Sequence, residues 1–422
     1  MNPTPDQQLH LRAFLRTLPS YALNFIAHTL MSILFARWMG VKHYGSFVFA
    51  FHAIRIAADF AGMGMRQAAM KFLPKYLKRG ESQLFRGFYR TGLFVNTALG
   101  LLLGYLAFVV MLPVVEGSHS HFTLQHAWWI CPLLGLNIFL SVVLRAKGHS
   151  VWASATQGSI RNFLAIIIAY ILVHDYVSLN SEVVIIIFAM AIALCIVVQL
   201  IVQMIVIPGE MGRHLPMYKF REWASTSFTM WFSSLSESLI TIGGIVLLRL
   251  LSDEDAVAYY HAAWILASII MTPGKAVLAV IQPVASREYP DNQRAYKEAV
   301  KAGGKLLLYS MAPLCLILLI GGYYFLGWFG HDFNRAYGLL PIVVFARTGH
   351  VVALFMSMQL NLSGLEKYVA RVSYITSISA ILLMIGLISR INAYGMAVSY
   401  LAASLSMIVI FDFKIKYIKQ NP

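Results

Sequence analysis

The sequence predicts an all-α, polytopic membrane protein with 12 transmembrane helices in two six-helix lobes. Of its 422 residues, 59% are hydrophobic and only 12% are charged, and the mean hydropathy is +0.69. A soluble domain could not bury so much apolar surface. Apolar segments of about 20 residues recur along the chain, which is the length that a helix needs to cross roughly 30 Å of hydrocarbon.

Twelve spans follow from these apolar segments, six in each half of the chain. A β-barrel is excluded, because its strands would show alternating apolar and polar residues. The spans are predicted at about 18–38, 44–63, 90–112, 126–146, 156–174, 182–206, 224–250, 256–276, 305–325, 338–360, 369–389 and 393–413.

Basic residues collect on one side of the predicted spans. With the N-terminus in the cytoplasm, the cytoplasmic segments hold most of the 33 Lys and Arg, including Arg66, Lys71, Arg145 and Arg161. Positive residues stay on the side of synthesis, so both termini are predicted to be cytoplasmic. The formal net charge of +15 is therefore mostly a topology signal, and it does not indicate a nucleic-acid partner.

The two halves resemble each other at a spacing of about 212 residues. ARWMG (Ala36–Gly40) ends span one and LRLLS (Leu248–Ser252) ends span seven, with Arg37 and Arg249 in register. Six spans per half predict a parallel repeat about an axis along the membrane normal. Two such lobes are typical of transporters that alternate access. We therefore expect an N-terminal lobe at 1–207, a cytoplasmic linker at 208–223, and a C-terminal lobe with a short basic tail at 224–422.

Span two carries two charges near its middle. Arg55 and Asp59 are four residues apart and so share one helix face. A charge at mid-bilayer costs at least ~2.5 kcal/mol on insertion scales, and such groups usually face a bundle interior or a wet cavity. One interpretation is a pair that neutralises itself and locks two helices. The other places Arg55 in a central cavity, where its planar fork binds a pyrophosphate while Asp59 orients it.

The repeat favours the second interpretation of Arg55. A shift of 212 residues places Ala267 and Met271 at the positions that match Arg55 and Asp59. The fold therefore does not require charged residues at these positions, which favours a role for Arg55 in binding the substrate.

Span ten supplies a second cation. Arg347 lies in its upper third, with His350 one turn below on the same face. Arg347 either enters the cavity or snorkels to the outer headgroups, and Lys275 at the inner end of span eight is expected to snorkel. Asn24 and Gln359 are predicted to meet sugar hydroxyls.

Span seven, STSFTMWFSSLSESLITIGG, is unusually polar, which suits the wall of a wet cavity. Glu237 is a candidate for ion coupling, because a buried carboxyl can change its charge during a transport cycle. Its alternatives are a carboxylate paired with Arg55 or Arg347, or a protonated carboxyl bonded to a neighbour. Asp59 is the other candidate for ion coupling, and Gly243–Gly244 is expected to allow bending.

The segment Met39–Glu81 contains Gly40, Tyr44-Gly45, Ala58-Asp59, Gly62, Phe72-Leu73-Pro74-Lys75-Tyr76 and Gly80. This pattern resembles that of the polysaccharide transporters, the Wzx-like flippases of the multidrug/oligosaccharidyl-lipid/polysaccharide (MOP) exporter superfamily. In that pattern an Ala-Asp span precedes a basic Phe-x-Pro-x-Tyr loop. LNLSGLEKYVA (Leu360–Ala370) is a weaker match to a turn that follows span ten in this family.

The resemblance implies a function and a location. It implies the flipping of a lipid-linked saccharide, usually on an undecaprenyl pyrophosphate carrier, from the inner to the outer leaflet of the bacterial inner membrane. Other polysaccharide-assembly membrane proteins are the implied partners, beside the bilayer itself. One departure limits the transfer of roles: span seven of this family often carries an Asn-x-Asp before its last Arg, where this chain has Ile242-Gly243-Gly244-Ile245.

No enzyme, metal or cofactor motif is recognised. AGGKLL (Ala302–Leu307) lacks the P-loop spacing, and neither a Gly-x-Ser-x-Gly elbow nor an HExxH motif occurs. We therefore expect a transporter that needs no cofactor.

Three functions remain open. The first is a flippase for an anionic lipid-linked oligosaccharide, from O-antigen, capsule or exopolysaccharide. The second is a proton- or sodium-coupled exporter of small organic cations, whose site should be rich in acids. The third is a glycan polymerase or ligase, which usually needs a large outer loop. The outer loops predicted here are short, at roughly Pro113–Gln125, Asp175–Ser181 and Gly327–Tyr337.

Overall fold

The computed structural model describes the backbone of residues 5–175, 179–206 and 215–420, and the side chains of residues 22–172, 179–206, 215–231 and 238–417. These parts form α-helices joined by short turns, with no β-strand among them. The helices are α1 (Pro5–Ala61), α2 (Met65–Arg79), α3 (Ser82–Val115), α4 (His119–Ala127), α5 (Cys131–Ala146), α6 (Ser150–Gln157), α7 (Ser159–Asp175), α8 (Ser181–Val206), α9 (Phe220–Ser238), α10 (Gly244–Leu251), α11 (Glu254–Ala267), α12 (Met271–Glu288), α13 (Gln293–Gly327), α14 (Leu340–Leu362) and α15 (Glu366–Gln420).

The predicted all-α membrane class is confirmed. Within the described ranges, nine helical stretches are long and apolar enough to cross a membrane. Two of these bend at the place where the sequence predicts two spans, one at Gly40 in α1 and the other at Ile391 and Asn392 in α15. The predicted seventh span corresponds to α9, a π-helical turn (Leu239–Gly243) and α10. The count of 12 spans stays a prediction.

Two segments expected to be loops are helical. The basic segment after span two forms α2, which begins after Gly64 and ends at Gly80, both in the left-handed conformation that glycine adopts without strain. The outer loop expected at Pro113–Gln125 is mostly the end of α3 and the helix α4. Both are helical because their apolar residues recur at three- and four-residue spacing and pack on neighbouring helices.

Packing divides the chain into two compact units. The 34–250 unit comprises Leu34–Leu250, and the 251–422 unit comprises Leu251–Pro422 together with Met1–Ile33. The predicted lobes were drawn from the repeat and have different boundaries, at 207/208 and 223/224. The boundaries of the two lobes, as drawn from the sequence repeat, stay a prediction.

In the 251–422 unit, the longest packed interface joins α14 to both halves of α15. Leu360 of α14 is buried against Val369, Val372 and Phe411 of α15. This contact holds the bent α15 against α14.

In the 34–250 unit, one end is closed by α2, α3, α5 and the start of α9. Their shared core contains Phe72, Phe88, Phe139 and the almost fully buried Trp223. The Trp223 indole N–H donates to the Tyr76 hydroxyl over 2.8 Å. Burial raises the pKa of the Tyr76 phenol, so this hydroxyl stays neutral and able to accept the bond.

The predicted linker 208–223 is only partly described. Residues 207–214 lie outside the described backbone, but the end of the linker is ordered against the 34–250 unit. The Met217 N–H donates to the Gln83 carbonyl over 3.0 Å, and the Met217 carbonyl lies against Gly87 of α3. This part of the linker is therefore anchored to α3 through its backbone, while most of its side chains are exposed and only Trp223 enters the core.

Substituting Gly87 tests this packing. At an exposed position inside a helix, replacing Gly with Ala would raise the free energy of unfolding by ~1 kcal/mol. At Gly87 the new Cβ would clash with the Met217 carbonyl, and overpacking of this kind costs ~1–3 kcal/mol. We expect Gly87→Ala to lower the melting temperature in detergent by several degrees, measured as loss of monodisperse protein on size-exclusion chromatography after heating.

Gly386→Ala is the matched control. Gly386 is exposed in α15, and a Cβ there would meet no atom within 4 Å. Its melting temperature should be unchanged or slightly raised. Equal melting temperatures for the two variants would contradict the proposed close contact at Gly87.

Candidate functional site

Arg55 and Asp59 lie on one face of α1 in an open ion pair. Arg55 Nε is 3.7 Å from Asp59 Oδ2, which is too long for a hydrogen bond, and this buried Nε has no hydrogen-bond partner in the described part of the chain. The Arg55 side chain is 28% exposed and that of Asp59 is 12% exposed. The pair therefore leaves Arg55 with unused donor capacity.

Asp59 also faces a second guanidinium. Arg66 Nη1, at the start of α2, lies 3.7 Å from the other carboxylate oxygen of Asp59. Beside them is a small cavity of ≈ 30 Å³, whose lining combines apolar residues with the polar side chains of Asp59, Arg66, Gln67 and Asn96. Its size suits about one water molecule. One carboxylate therefore serves two cations, and neither is tightly hydrogen-bonded to it.

Arg161 is a buried cation that the sequence did not single out. Its side chain in α7 is 8% exposed, and its Nε and Nη2 donate long bonds of 3.4 and 3.3 Å to Asn162 Oδ1. Its guanidinium lies 4.9 Å from the centre of the Phe188 ring. Among the residues whose side chains are described, no carboxylate lies within 4 Å of it.

A chain of contacts places Arg161 near Arg55. The Phe188 ring packs edge-to-face on Phe51 with ring centres 5.0 Å apart, and Arg55 lies one turn after Phe51 in α1. Arg161 is also close enough to Arg55 for their charges to repel. Within the described side chains, Arg55 and Arg66 thus share the carboxylate of Asp59, and Arg161 is a third cation near Arg55.

The sequence interpretation of Arg161 as a cytoplasmic residue stays a prediction. By length and composition, Ser150–Leu172 is a candidate membrane-crossing stretch, and Arg161 is near its centre. The polar residues of α6 hid the start of this stretch. The signal that could have revealed it is the short apolar face of α6, which buries Ala153 and Thr156 before the break at Gly158.

Arg347 is packed inside the 251–422 unit. It is 8% exposed, its guanidinium stacks 3.3 Å from the centre of the Trp264 ring, and Nη2 donates to Ser268 Oγ over 2.9 Å. An aromatic face attracts a cation without neutralising it. The described side chain is therefore not extended toward a surface, as snorkelling would require.

His350 lies beside Arg347 in the same unit. Its ring centre is 5.8 Å from that of Tyr400, and its buried Nε2 has no hydrogen-bond partner in the described chain. The charges of Arg347 and of the exposed Lys275 both act on this ring. The result is a second cationic cluster with a free imidazole nitrogen.

The remaining predicted residues are less closely grouped. Asn24 is half-buried in α1, and Gln359 is half-buried in α14, where its Nε2 approaches the Phe355 carbonyl at 3.5 Å. The Glu237 side chain lies outside the described residues, although its backbone belongs to α9 just before the π-helical turn. The structure thus describes two clusters, one in each unit, and leaves Glu237 untested.

Comparison with known proteins identifies both a family and a fold. The sequence family described as polysaccharide biosynthesis protein matches residues 11–288. No match was found among curated protein sequences.

Several solved structures have the same fold. An inward-facing multidrug resistance MATE family transporter of the MOP superfamily is 14% identical, with a TM-score of 0.71 over 98% of this chain and 99% of that one. The lipid II flippase MurJ in an inward closed conformation is 15% identical, with a TM-score of 0.73 over 97% of this chain and 87% of its own. A MOP superfamily transporter from Pyrococcus furiosus, described as having a binding pocket of reversed polarity, is 15% identical with a TM-score of 0.63 over 99% of this chain and 100% of its own.

Arg347→Lys tests the packing of the second cluster. Lysine keeps the charge but loses the flat stacking on Trp264 and the fixed donation to Ser268. We expect the free energy of unfolding to fall by ~1–2 kcal/mol, measured as a lower melting temperature in detergent. Arg390→Lys, at an exposed position of the same unit, is the control and should leave the melting temperature unchanged. If Arg347→Lys lowers the melting temperature no more than this control does, the stacking on Trp264 does not contribute to stability.

Proposed function

The chain belongs to the polysaccharide biosynthesis protein family, and on this premise we propose that it is a flippase. Its substrate would be an anionic lipid-linked oligosaccharide, such as a unit of O-antigen, capsule or exopolysaccharide. The protein would move it by alternating access from the inner to the outer leaflet of a bacterial inner membrane, with both termini in the cytoplasm. The fold shared with solved MATE and MurJ structures supports a transport mechanism.

The observation that carries this proposal is the excess of positive charge in the 34–250 unit. Arg55 and Arg66 share the Asp59 carboxylate, and Arg161 lies close enough to Arg55 to repel it, with no carboxylate within 4 Å of Arg161 among the described side chains. A buried cation without a counter-charge is costly in an apolar environment. An anionic ligand would supply the missing charge, which explains why these residues are kept within a membrane protein.

The type of cation favours a phosphate group. Guanidinium is planar, stays charged, and presents parallel N–H donors that match phosphate oxygens. Arg55 Nε has no hydrogen-bond acceptor among the described residues, and Asp59 is near enough to orient the guanidinium without forming a hydrogen bond to Nε. A pyrophosphate linkage between lipid and sugar would bring two negative charges to this cluster, which matches its net charge of about two positive units.

Arg347 and His350, which lie together in the 251–422 unit, are proposed to contact the substrate as well. Arg347 keeps its charge while stacked on Trp264, and His350 Nε2 has no partner among the described residues. These groups would bind acidic or hydroxyl substituents of the sugars, and Asn24 and Gln359 would add hydrogen bonds to hydroxyls.

Coupling is proposed to use an ion gradient. Asp59 and Glu237 are the carboxyl groups that could exchange a proton or bind a cation during the cycle. The chain has no nucleotide-binding or hydrolytic motif, so we infer a transporter that is not an enzyme and needs no cofactor. Other polysaccharide-assembly membrane proteins would supply the substrate and receive it.

The exporter of organic cations is the second candidate, because solved MATE transporters share the fold. Its binding site should carry a net negative charge. The cluster around Asp59 has the opposite sign, so this function is disfavoured. The glycan polymerase or ligase is disfavoured because such enzymes usually need a large outer loop, and the outer loops predicted from the sequence are short.

Arg55→Gln tests the proposed transport in cells. When the protein is depleted, lipid-linked saccharide should accumulate on the inner leaflet, and wild-type protein should restore its outward movement. We expect Arg55→Gln to reduce that movement at least about tenfold, because one charge-assisted hydrogen bond to phosphate is lost. The measurement is the leaflet distribution of the labelled lipid-linked saccharide.

Arg390→Gln removes an exposed cation and should restore transport like wild type. Unchanged lipid-linked saccharides upon depletion, together with altered resistance to cationic dyes, would favour the exporter and reject the flippase.

Arg161→Gln tests whether this residue belongs to the anion site. With purified protein in phosphatidylcholine nanodiscs, we expect the dissociation constant for undecaprenyl pyrophosphate to rise about tenfold, and that for undecaprenol to stay the same. Arg161→Lys keeps the charge and should be intermediate. Size-exclusion chromatography confirms that each variant is folded.

Arg37→Gln is the matched control, since Arg37 is an exposed cation of the same unit. If Arg37→Gln and Arg161→Gln weaken binding equally, Arg161 has no special role in binding the phosphate.

A further inference from the structure

The surface of α2 carries a row of basic side chains with no role in the cluster around Asp59. The row, called here the α2 stripe, consists of Lys71, Lys75, Lys78 and Arg79, all exposed. At about 100° per residue, these four positions fall within about 100° of one another around the helix. The stripe is therefore one continuous strip along the helix.

The α2 stripe is held in a fixed orientation. Phe72, Leu73 and Tyr76 on the adjoining face are buried in the 34–250 unit, and Trp223 donates to the Tyr76 hydroxyl. Because these buried side chains prevent α2 from rotating about its axis, the basic side chains stay on the surface of the 34–250 unit. The α2 stripe therefore has a fixed orientation, which a mobile basic loop would lack.

The position of α2 in the chain places the stripe at a membrane surface. The helix follows the candidate membrane-crossing stretch Ala22–Ala61 after three residues, and the next candidate, Ser82–Val115, begins after a further two residues. Connections of this length keep α2 beside the ends of both stretches. The α2 stripe is therefore expected on the side of the bilayer where these two stretches end.

A second amphipathic segment adjoins the same end of the 34–250 unit. Residues 215–221 are joined to α3 by the bond from Met217 to Gln83. Tyr218 and Phe220 are exposed and stacked on each other with ring centres 5.0 Å apart, and Lys219 and Arg221 are exposed between and beside them. Exposed aromatic rings with flanking cations are typical of segments that lie in a membrane interface.

The local charge is strongly positive. The α2 stripe and residues 215–221 together carry six cations, and the neighbouring acids are Glu81, whose Oε1 is 3.9 Å from Arg79 Nη1, and Glu222. A positive surface of this kind attracts anionic headgroups, and each added cation strengthens binding about fivefold at low salt.

We propose that the α2 stripe and residues 215–221 form a docking surface for anionic phospholipids of the surrounding bilayer, such as phosphatidylglycerol. The cations bind the headgroup phosphates, and Tyr218 and Phe220 enter the boundary between headgroups and acyl chains. This inference concerns the bilayer and does not depend on the proposed transport activity.

The test compares lipid selectivity in proteoliposomes of phosphatidylcholine. Spin-labelled phosphatidylglycerol or phosphatidylcholine is added in trace amounts, and electron paramagnetic resonance measures the fraction immobilised by the protein. Wild type should prefer phosphatidylglycerol, and the triple variant Lys71→Gln/Lys75→Gln/Lys78→Gln should lose this preference about fivefold or more. Raising the salt to about 0.5 M should also reduce it, because screening shortens the range of the attraction.

The control removes the same charge elsewhere. Arg294→Gln/Lys297→Gln/Lys301→Gln changes three exposed cations of α13 and should keep the preference of wild type. An equal loss in both triple variants would show that only total charge matters and would overturn the docking surface. An unchanged preference for phosphatidylglycerol in the α2 triple variant would also overturn the docking surface. The same conclusion would hold if that variant lost binding to an acidic protein partner instead.

Discussion

The arrangement of this protein depends on how charged groups are accommodated in apolar helices. A guanidinium in hydrocarbon is costly, and three arginines of this protein have a neighbour that lowers this cost. Asp59 does so for Arg55, the Phe188 ring for Arg161, and the Trp264 ring with the Ser268 hydroxyl for Arg347. Rings and hydroxyls stabilise a cation without cancelling its charge. The charge therefore remains available to an anionic ligand.

The short stretch from Arg55 to Arg79 joins the candidate anion site to the α2 stripe. Arg55 and Asp59 occupy the end of α1, and Arg66 at the start of α2 reaches back to Asp59. The left-handed Gly64 makes the turn between the helices, and its close approach to the Ser227 carbonyl leaves no room for a side chain. The α2 stripe then continues along the same helix. One tight turn thus fixes both groups of cations to the same core.

Much of the fold was predictable, because a span of about 20 apolar residues is a local property. Hydropathy was enough to predict the helices and to reveal Arg55, which stands out as a charge within an apolar run. Arg161 was not singled out because polar residues of α6 precede it, and its burial depends on packing against Phe188 of another helix. The helix α2 was taken for a loop, since its apolar face is evident only when it packs beneath Trp223.

The sequence by itself determined the membrane class, the approximate spans and the family-like motif around Ala58-Asp59, because these depend on composition and on short spacings. Only the tertiary structure decided which charges meet. The single carboxylate of Asp59 lies between Arg55 and Arg66, and Phe188 brings Arg161 toward Arg55 from another helix. The physical reason is that electrostatic and cation–π interactions depend on distances between helices, and those distances are set by side-chain packing far apart in the sequence.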